Sequence, residues 1–338
     1  MAIYGRLMSA SHLQFIMTAQ EYITHKLNKM AEPVEQANTG KMSLDEAILA
    51  RVHSKKFRKL RVDQSAIDIA KKSIAMSIKN GEPIHLRLDF GGNKLWRLDE
   101  APHIDWGELF SLMYYINWAK YIAAVYEPGV LVSYFSMDVV VERLNNVPHE
   151  QTDNYSEDMS ALFQWMEQFI PKGVRIEYTR YRDLYKDRAE YNAELEASKA
   201  EILRKSKGKL PELDDKQKAA TELNVKLLPN QESDPQWREK VELEHESIFS
   251  TKTGGAYLDD PKWIPHCPTW YGGYIATGST KRSLAKFWAG VGALEEKKDG
   301  FNEIILSPKQ LDNADYRWEE VGIKELDSNH FRKIRVVK

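Results

Sequence analysis

At 338 residues, with 42% hydrophobic and 11% aromatic side chains, the chain has the apolar content to close a large core, which excludes an intrinsically disordered protein. Lys and Arg number 48 against 50 Asp and Glu, a formal charge of −2, so no whole-chain field draws in nucleic acid or an anionic membrane. The single cysteine, Cys267, excludes an intramolecular disulfide and a zinc site built from several thiolates. No run of about eighteen apolar residues occurs, and residues 1–15 lack a charged start followed by an apolar stretch, so a cytoplasmic protein is expected.

Residues 1–80 read as helical. Leu13, Ile16, Met17, Ile23 and Leu27 give residues 11–31 an amphipathic spacing that ends before Pro33. Residues 42–62 begin with Ser43 as an N-cap and Glu46 three positions on, a capping box. A third helix spans 63–79 with Ile67, Ala70 and Ile74 inward, and Asn80-Gly81 closes it. These helices form a scaffold or lid beside a sheet.

Residues 81–181 hold the central α/β part. A β-rich run over 83–90 stops at Gly91-Gly92, and a loop carrying Asn93, Lys94 and Arg97 follows. Residues 105–126 are apolar enough to be a mostly buried helix, ended by Pro128-Gly129. A second strand over 130–135 delivers Ser136 and Asp138 at its C-terminal end, where ligands collect in open α/β sheets. Residues 153–170 return to helical spacing, Pro171-Lys172-Gly173 stops them, and 174–178 is a third strand. Strand and helix alternate twice, which predicts a parallel, crossover-connected sheet.

Residues 182–250 change style. Lys, Glu, Asp and Arg dominate, and two or three charged helices are expected, around 183–206 and 235–249. Residues 251–338 are β-rich again, with strands at 272–277, 303–306 and 333–337. No fixed-period repeat or low-complexity linker divides the chain, so residues 1–338 are taken as one elaborated domain.

The order of several residues resembles a known family. The match runs through Gly81-Glu82-Pro83-Ile84-His85-Leu86-Arg87-Leu88, Lys94 in its loop, Pro102, then Asp105-Trp106-Gly107-Glu108-Leu109 opening a helix. It continues through Tyr126-Glu127-Pro128-Gly129, Ser136-Met137-Asp138, Val147-Pro148 and Tyr155. Over roughly a third of the chain this order resembles the isonitrile synthases of pyoverdine and dityrosine type biosynthesis. Where that family usually has a Ser-Asp-Gly turn, this chain has Ser136-Met137-Asp138-Val139. The resemblance implies a Rossmann-like fold and an enzyme of secondary metabolism that turns an amino acid amine into an isonitrile. The carbon donor it implies is ribulose 5-phosphate, with no metal, nicotinamide or other cofactor.

Each candidate residue has a chemical reading and an architectural one. Lys94 and Arg97 could hold a phosphate or carboxylate by charge-assisted bonds, or decorate a surface turn. Asp105 and Glu108 could engage a substrate amine, or simply complement the positive end of a helix. Ser136 and Asp138 could fix a ligand hydroxyl and accept a proton, or cap the next segment. Thr280, Lys281 and Arg282 follow a glycine-rich stretch and could cradle a phosphate through backbone N–H groups and charge, or form an ordinary loop. On the resemblance, Lys94, Asp105, Glu108 and Asp138 are the catalytic candidates; Arg97, Ser136, Thr280, Lys281 and Arg282 are the substrate and phosphate ligands.

Other readings stay open. A binding or assembly protein could keep the fold without the reaction, docking a partner protein through residues 182–250. His103-Ile104-Asp105 has the spacing of two facial-triad ligands, with His266 or His330 as the third, which would make a non-haem iron oxygenase. Cys267 beside His266 could be a nucleophile, though neighbours in sequence seldom form such a dyad. Basic and aromatic residues around 175–188 are the sole hint of nucleic-acid binding.

Overall fold

The computed structural model describes residues 17–35, 40–57, 64–90, 92–98, 102–252, 290–298, 300–323, 326 and 329–338. Three helices come first: α1 (Ala19–Ala31), α2 (Leu44–Val52) and α3 (Gln64–Asn80). Ser43 and Glu46 form the expected capping box on α2, and Thr18 with Glu21 forms another on α1. The second helix stops well short of residue 62. There the chain turns at Ser54, whose carbonyl accepts from the Phe57 amide, and the Phe57 ring goes into the core. Helix α3 ends where expected, with Gly81 at φ +68° supplying the left-handed residue that closes it.

The central sheet has strands β1 (Ile84–Phe90), β2 (Val130–Ser136) and β3 (Val174–Arg180), all parallel, in the order β1-β2-β3. Helix α5 (Trp106–Ala123) crosses from β1 to β2, and α7 (His149–Met166) crosses from β2 to β3. Leu109, Leu112, Ile116, Trp118 and Ile122 bury α5 on nearly every side, so it forms the middle of the core rather than a half-exposed layer. The α/β, crossover-connected reading of the sequence is the fold observed.

Two short elements depart from the sequence reading. The loop after β1 is a helical turn, α4 (Gly92–Arg97), and Asp138 opens a helix, α6 (Asp138–Leu144), rather than sitting in a plain turn. Helix α7 starts at His149 directly after Pro148, a residue that can precede a first turn but not interrupt one.

The charged segment contains α8 (Arg188–Lys205), α9 (Asp215–Asn224), α10 (Pro229–Glu232) and α11 (Trp237–Phe249). It is not a detached appendage. Tyr191, Leu195 and Ile248 build a second apolar cluster with Phe135, Val139, Val140, Leu144, Tyr181 and Tyr185, at the C-terminal end of β2.

A second sheet has strands β4 (Val291–Lys297), β5 (Gly300–Leu306), β6 (Tyr316–Glu320) and β7 (Lys333–Val337), ordered β5-β4-β7-β6, with α12 (Pro308–Asn313) after β5. Strand β4 pairs antiparallel with β5 and parallel with β7, while β6 pairs antiparallel with β7. Strands β4 and β6 escape sequence reading because charged residues fill them: Glu295, Glu296 and Lys297 in one, Arg317, Glu319 and Glu320 in the other. The expected strand at 272–277 lies outside the described residues.

Candidate functional site

Neighbouring strands β1, β2 and β3 end in register at Phe90, Ser136 and Arg180, so whatever follows each strand gathers along one edge. After β1, helix α4 brings Lys94 into the interior, where it is 4% exposed. Its Nζ lies 2.8 Å from Glu108 Oε2 and 3.0 Å from Asp105 Oδ1. Asp105 is the N-cap of α5 and Glu108 lies in its first turn. Asp105 Oδ1 accepts from Gly107 N at 2.7 Å, and Glu108 Oε2 accepts from Asp105 N at 2.8 Å. Helix-capping and lysine-binding therefore fall on the same two side chains. From α7, the Tyr155 hydroxyl donates to Glu108 Oε1 at 2.9 Å, and from β4 the Gly292 amide donates to Asp105 Oδ1 at 3.1 Å.

Two carboxylates and one ammonium share this water-excluded volume, so the cluster has one negative charge more than it can neutralise. Burial opposes the Lys94 charge, but Asp105 and Glu108 outweigh it and hold the ammonium above its ordinary pKa. Burial pushes Glu108 up, and the Asp105 charge adds to that against the pull of Lys94. The Tyr155 phenol rises well above its usual range, first from burial and then from the facing Glu108. Lys94 is thus a fixed cation rather than an amine nucleophile. Glu108 keeps its proton further up the pH range than an ordinary glutamate, chiefly because it is buried.

Asp138, which follows β2, is 1% exposed. Its Oδ1 accepts from Val139 N at 2.8 Å, and its Oδ2 accepts from Arg180 Nε at 2.8 Å. Burial outweighs the Arg180 attraction and lifts its pKa to about 6, which suits proton transfer near neutrality. Ser136 is buried beside it and bonds the Tyr178 hydroxyl, which also donates to Ser156 at 3.0 Å. Tyr178 in turn lies close enough to Tyr155 to couple with it electrostatically. A polar layer thus runs beneath the strand ends from Lys94 to Arg180.

The remaining expectations divide. Lys94 and Arg97 do not converge on a shared anion: Lys94 is taken by its two carboxylates, whereas Arg97 is exposed, stacks over Trp96 and donates to Asn224 Oδ1 at 2.7 Å. Three positions apart on α4, the two cations share a helix face, yet Lys94 turns inward to its carboxylates and Arg97 outward to Trp96 and Asn224. Thr280, Lys281, Arg282, His266 and Cys267 lie outside the described residues. His103 and His330 do meet, but as stacked rings 3.3 Å apart between centres and 16° from parallel, which turns π-faces rather than nitrogen lone pairs toward each other. Asp105 is meanwhile engaged by Lys94. Among the described residues no group of three or more His, Cys, Asp or Glu is placed to hold a metal ion, so the facial triad completed by His330 does not form, and the version completed by His266 lies outside the described residues. Burial, the neighbouring His330 and Lys94 lower the His103 pKa to about 4.

Sequence reasoning missed Arg180, Arg182, Arg188 and Asp153, which form an ion-pair network beside Asp138. A usable signal existed: three arginines in nine positions, starting at the last residue of the third strand. Among the described residues, no helix is long and apolar enough to cross a membrane. Two clefts of about 480 Å³ lie away from Lys94, one walled by Glu142, Leu144, Trp237 and Val241, the other by Gln20, Val321 and Arg332.

No family model matches the chain, and no curated protein matches it. Among solved structures it is similar to the PvcA protein from Pseudomonas aeruginosa, with 13% identity and a TM-score of 0.53, over 88% of this chain and 100% of that one. At this identity the likeness shows a common fold.

Proposed function

We propose that the chain is an isonitrile synthase-like enzyme, joining an amino acid amine to a carbon drawn from ribulose 5-phosphate. Two lines support this reading: the order of motifs in the sequence and the fold shared with PvcA. The observation that carries it is that two carboxylates, Glu108 and Asp138, are both buried along one strand edge, each held by a cation. Imine formation between an amine and a ketone needs an acceptor for the ammonium proton and a donor for the departing carbonyl oxygen. Asp138, with its pKa near 6, suits the first task. Glu108, kept proton-prone by burial and linked to Tyr155, suits the second. Lys94 holds the Glu108 carboxyl in place, and Ser136 offers a hydroxyl to orient the sugar. Arg97, Thr280, Lys281 and Arg282 remain candidates for substrate oxygens. Incubating the chain with ribulose 5-phosphate and each of the twenty amino acids tests the reading, with an isonitrile detected by mass as the expected product.

A second reading is favoured by the closure of the Lys94 cluster, whose three side chains are each at most 6% exposed and satisfy one another. On that reading the cluster is architectural, and the chain is a binding or assembly protein that keeps the fold, with the 182–250 segment as its docking surface. Tyr155→Phe separates the two. It lowers product formation by about 100-fold or more if the cluster moves protons, and leaves cellular function intact if the cluster only braces the fold.

A further inference from the structure

The network beyond β3 is uneven in a way that points to a ligand. Arg180 ends β3, Arg182 lies in the following 3-10 turn (Tyr181–Leu184), and Arg188 opens α8. All three guanidinium groups face Asp153 on α7. Arg180 Nη2 and Arg182 Nη1 both reach the same oxygen, Oδ1, at 2.7 and 2.6 Å, and Arg188 Nη2 stands 3.9 Å from Oδ2. Two of these arginines are also held from behind. Arg180 Nε binds Asp138, and Arg188 Nη1 binds Glu142 at 3.4 Å, both carboxylates being almost fully buried. Glu142 is itself fixed by Thr152 and by His149 Nδ1 at 2.7 Å.

The buried carboxylates thus set the arginines in place, while Asp153, 38% exposed at its side chain, fills the space the arginines enclose. This one carboxylate shares a single oxygen between two of the forks and leaves the third 3.9 Å from its other oxygen, so it does not fill the hydrogen-bonding capacity of the three guanidinium groups. A tetrahedral dianion offers more oxygens and more charge to three planar forks than one carboxylate does.

We propose that Arg180, Arg182 and Arg188 form an oxyanion cradle that Asp153 occupies in the resting chain and that the phosphate group of a phosphomonoester takes over. Resting on the reading given above, this gives the pentose phosphate a phosphate anchor next to Asp138, at the strand edge where its carbonyl would be worked on. Phosphate binding and swing-out of Asp153 then occur together, so the carboxylate acts as a built-in competitor that lowers apparent affinity by the fraction of time it is seated.

Calorimetric titration of the full chain tests this, with inorganic phosphate and ribulose 5-phosphate as separate probes. Arg182→Gln is expected to weaken binding of both by about tenfold or more, and Asp153→Asn to tighten it about fivefold by removing the competitor. Both side chains reach the surface, so the melting temperature reports whether each variant is folded. Tighter binding of the sugar ester than of free phosphate would place the sugar in contact with the protein, and equal binding would confine recognition to the phosphate; either supports the cradle. Absence of binding, or affinities unchanged in both variants, overturns it. Phosphate-ester binding that needs Arg182 in a chain that makes no isonitrile would leave the cradle standing and remove the proposed reaction. Isonitrile formation from ribulose 5-phosphate with its KM untouched by Arg182→Gln would remove the cradle alone.

Discussion

Gly107 and Gly292, 185 positions apart, pass so closely that a Cβ on Gly292 would lie 2.2 Å from the Gly107 nitrogen. This is where the second sheet meets the first turn of α5, and the approach lets the Gly292 amide reach Asp105. The C-terminal sheet is therefore part of the wall that holds the lysine-binding carboxylates. Gly292→Ala would force backbone against backbone, with no flexible side chain to yield. A loss of at least about 1–3 kcal/mol is expected, read as a lower midpoint in chemical denaturation, together with weaker activity.

Lys94→Met leaves Asp105 and Glu108 facing each other in a buried site without a cation. The expected cost is about 3–5 kcal/mol, measured by denaturant titration. Because the penalty comes from an uncompensated carboxylate, Lys94→Met combined with Glu108→Gln should be more stable than Lys94→Met alone. A double-mutant cycle reads that recovery as a coupling energy between the two sites.

Tyr155→Phe removes one hydroxyl and one hydrogen bond to Glu108 while keeping the ring in the core. A stability loss of about 1–3 kcal/mol is expected, and the fold survives it. If Glu108 and Tyr155 relay a proton, kcat falls by about 100-fold or more while KM for the amino acid stays within a few-fold of the unaltered chain. Steady-state kinetics on the purified variant check this split.

Stability should respond to pH through groups that act in opposite directions, Asp138 and His103 among them. Between about pH 4, where an unfolded aspartate ionises, and about 6, the folded chain keeps the Asp138 proton, so this contribution is complete below pH 4 and is lost as pH rises. Its size is about 3 kcal/mol. His103 runs the other way: between about pH 6.5 and 4 the unfolded chain takes up a proton that the folded chain refuses, so stability falls as pH falls. Measured against the unaltered chain in denaturation series from pH 4 to 7, His103→Gln should make stability decline more steeply with rising pH, and Asp138→Asn should make it decline less.

The alternation of strands and helices was legible because apolar runs of the right length are bounded by glycine and proline: Pro128-Gly129 before β2, Pro171-Lys172-Gly173 before β3. Charged strands such as β4 and β6 were not, since their pairing partners supply the burial that their own residues do not announce. At the site, Asp105 and Glu108 were readable as a helix start, and the structure bears out that role. What the sequence concealed is the three-way contact with Lys94: three positions apart, Lys94 and Arg97 look like one cationic pair, and only the folded chain brings Asp105 and Glu108 to the Lys94 ammonium. Arg180 and Arg182 were hidden differently. They sit among acidic residues, and only the strand register shows that Arg180 ends level with Ser136.

The account turns on whether a carbon of the pentose phosphate is delivered to an amino acid nitrogen. Ribulose 5-phosphate labelled with carbon-13 at each position in turn, supplied with the twenty amino acids, answers this by mass spectrometry of the products. The expected result is an isonitrile from at least one amino acid, with the label from one sugar carbon in the isonitrile group. Production of no isonitrile from any amino acid by a folded, phosphate-competent chain would contradict it.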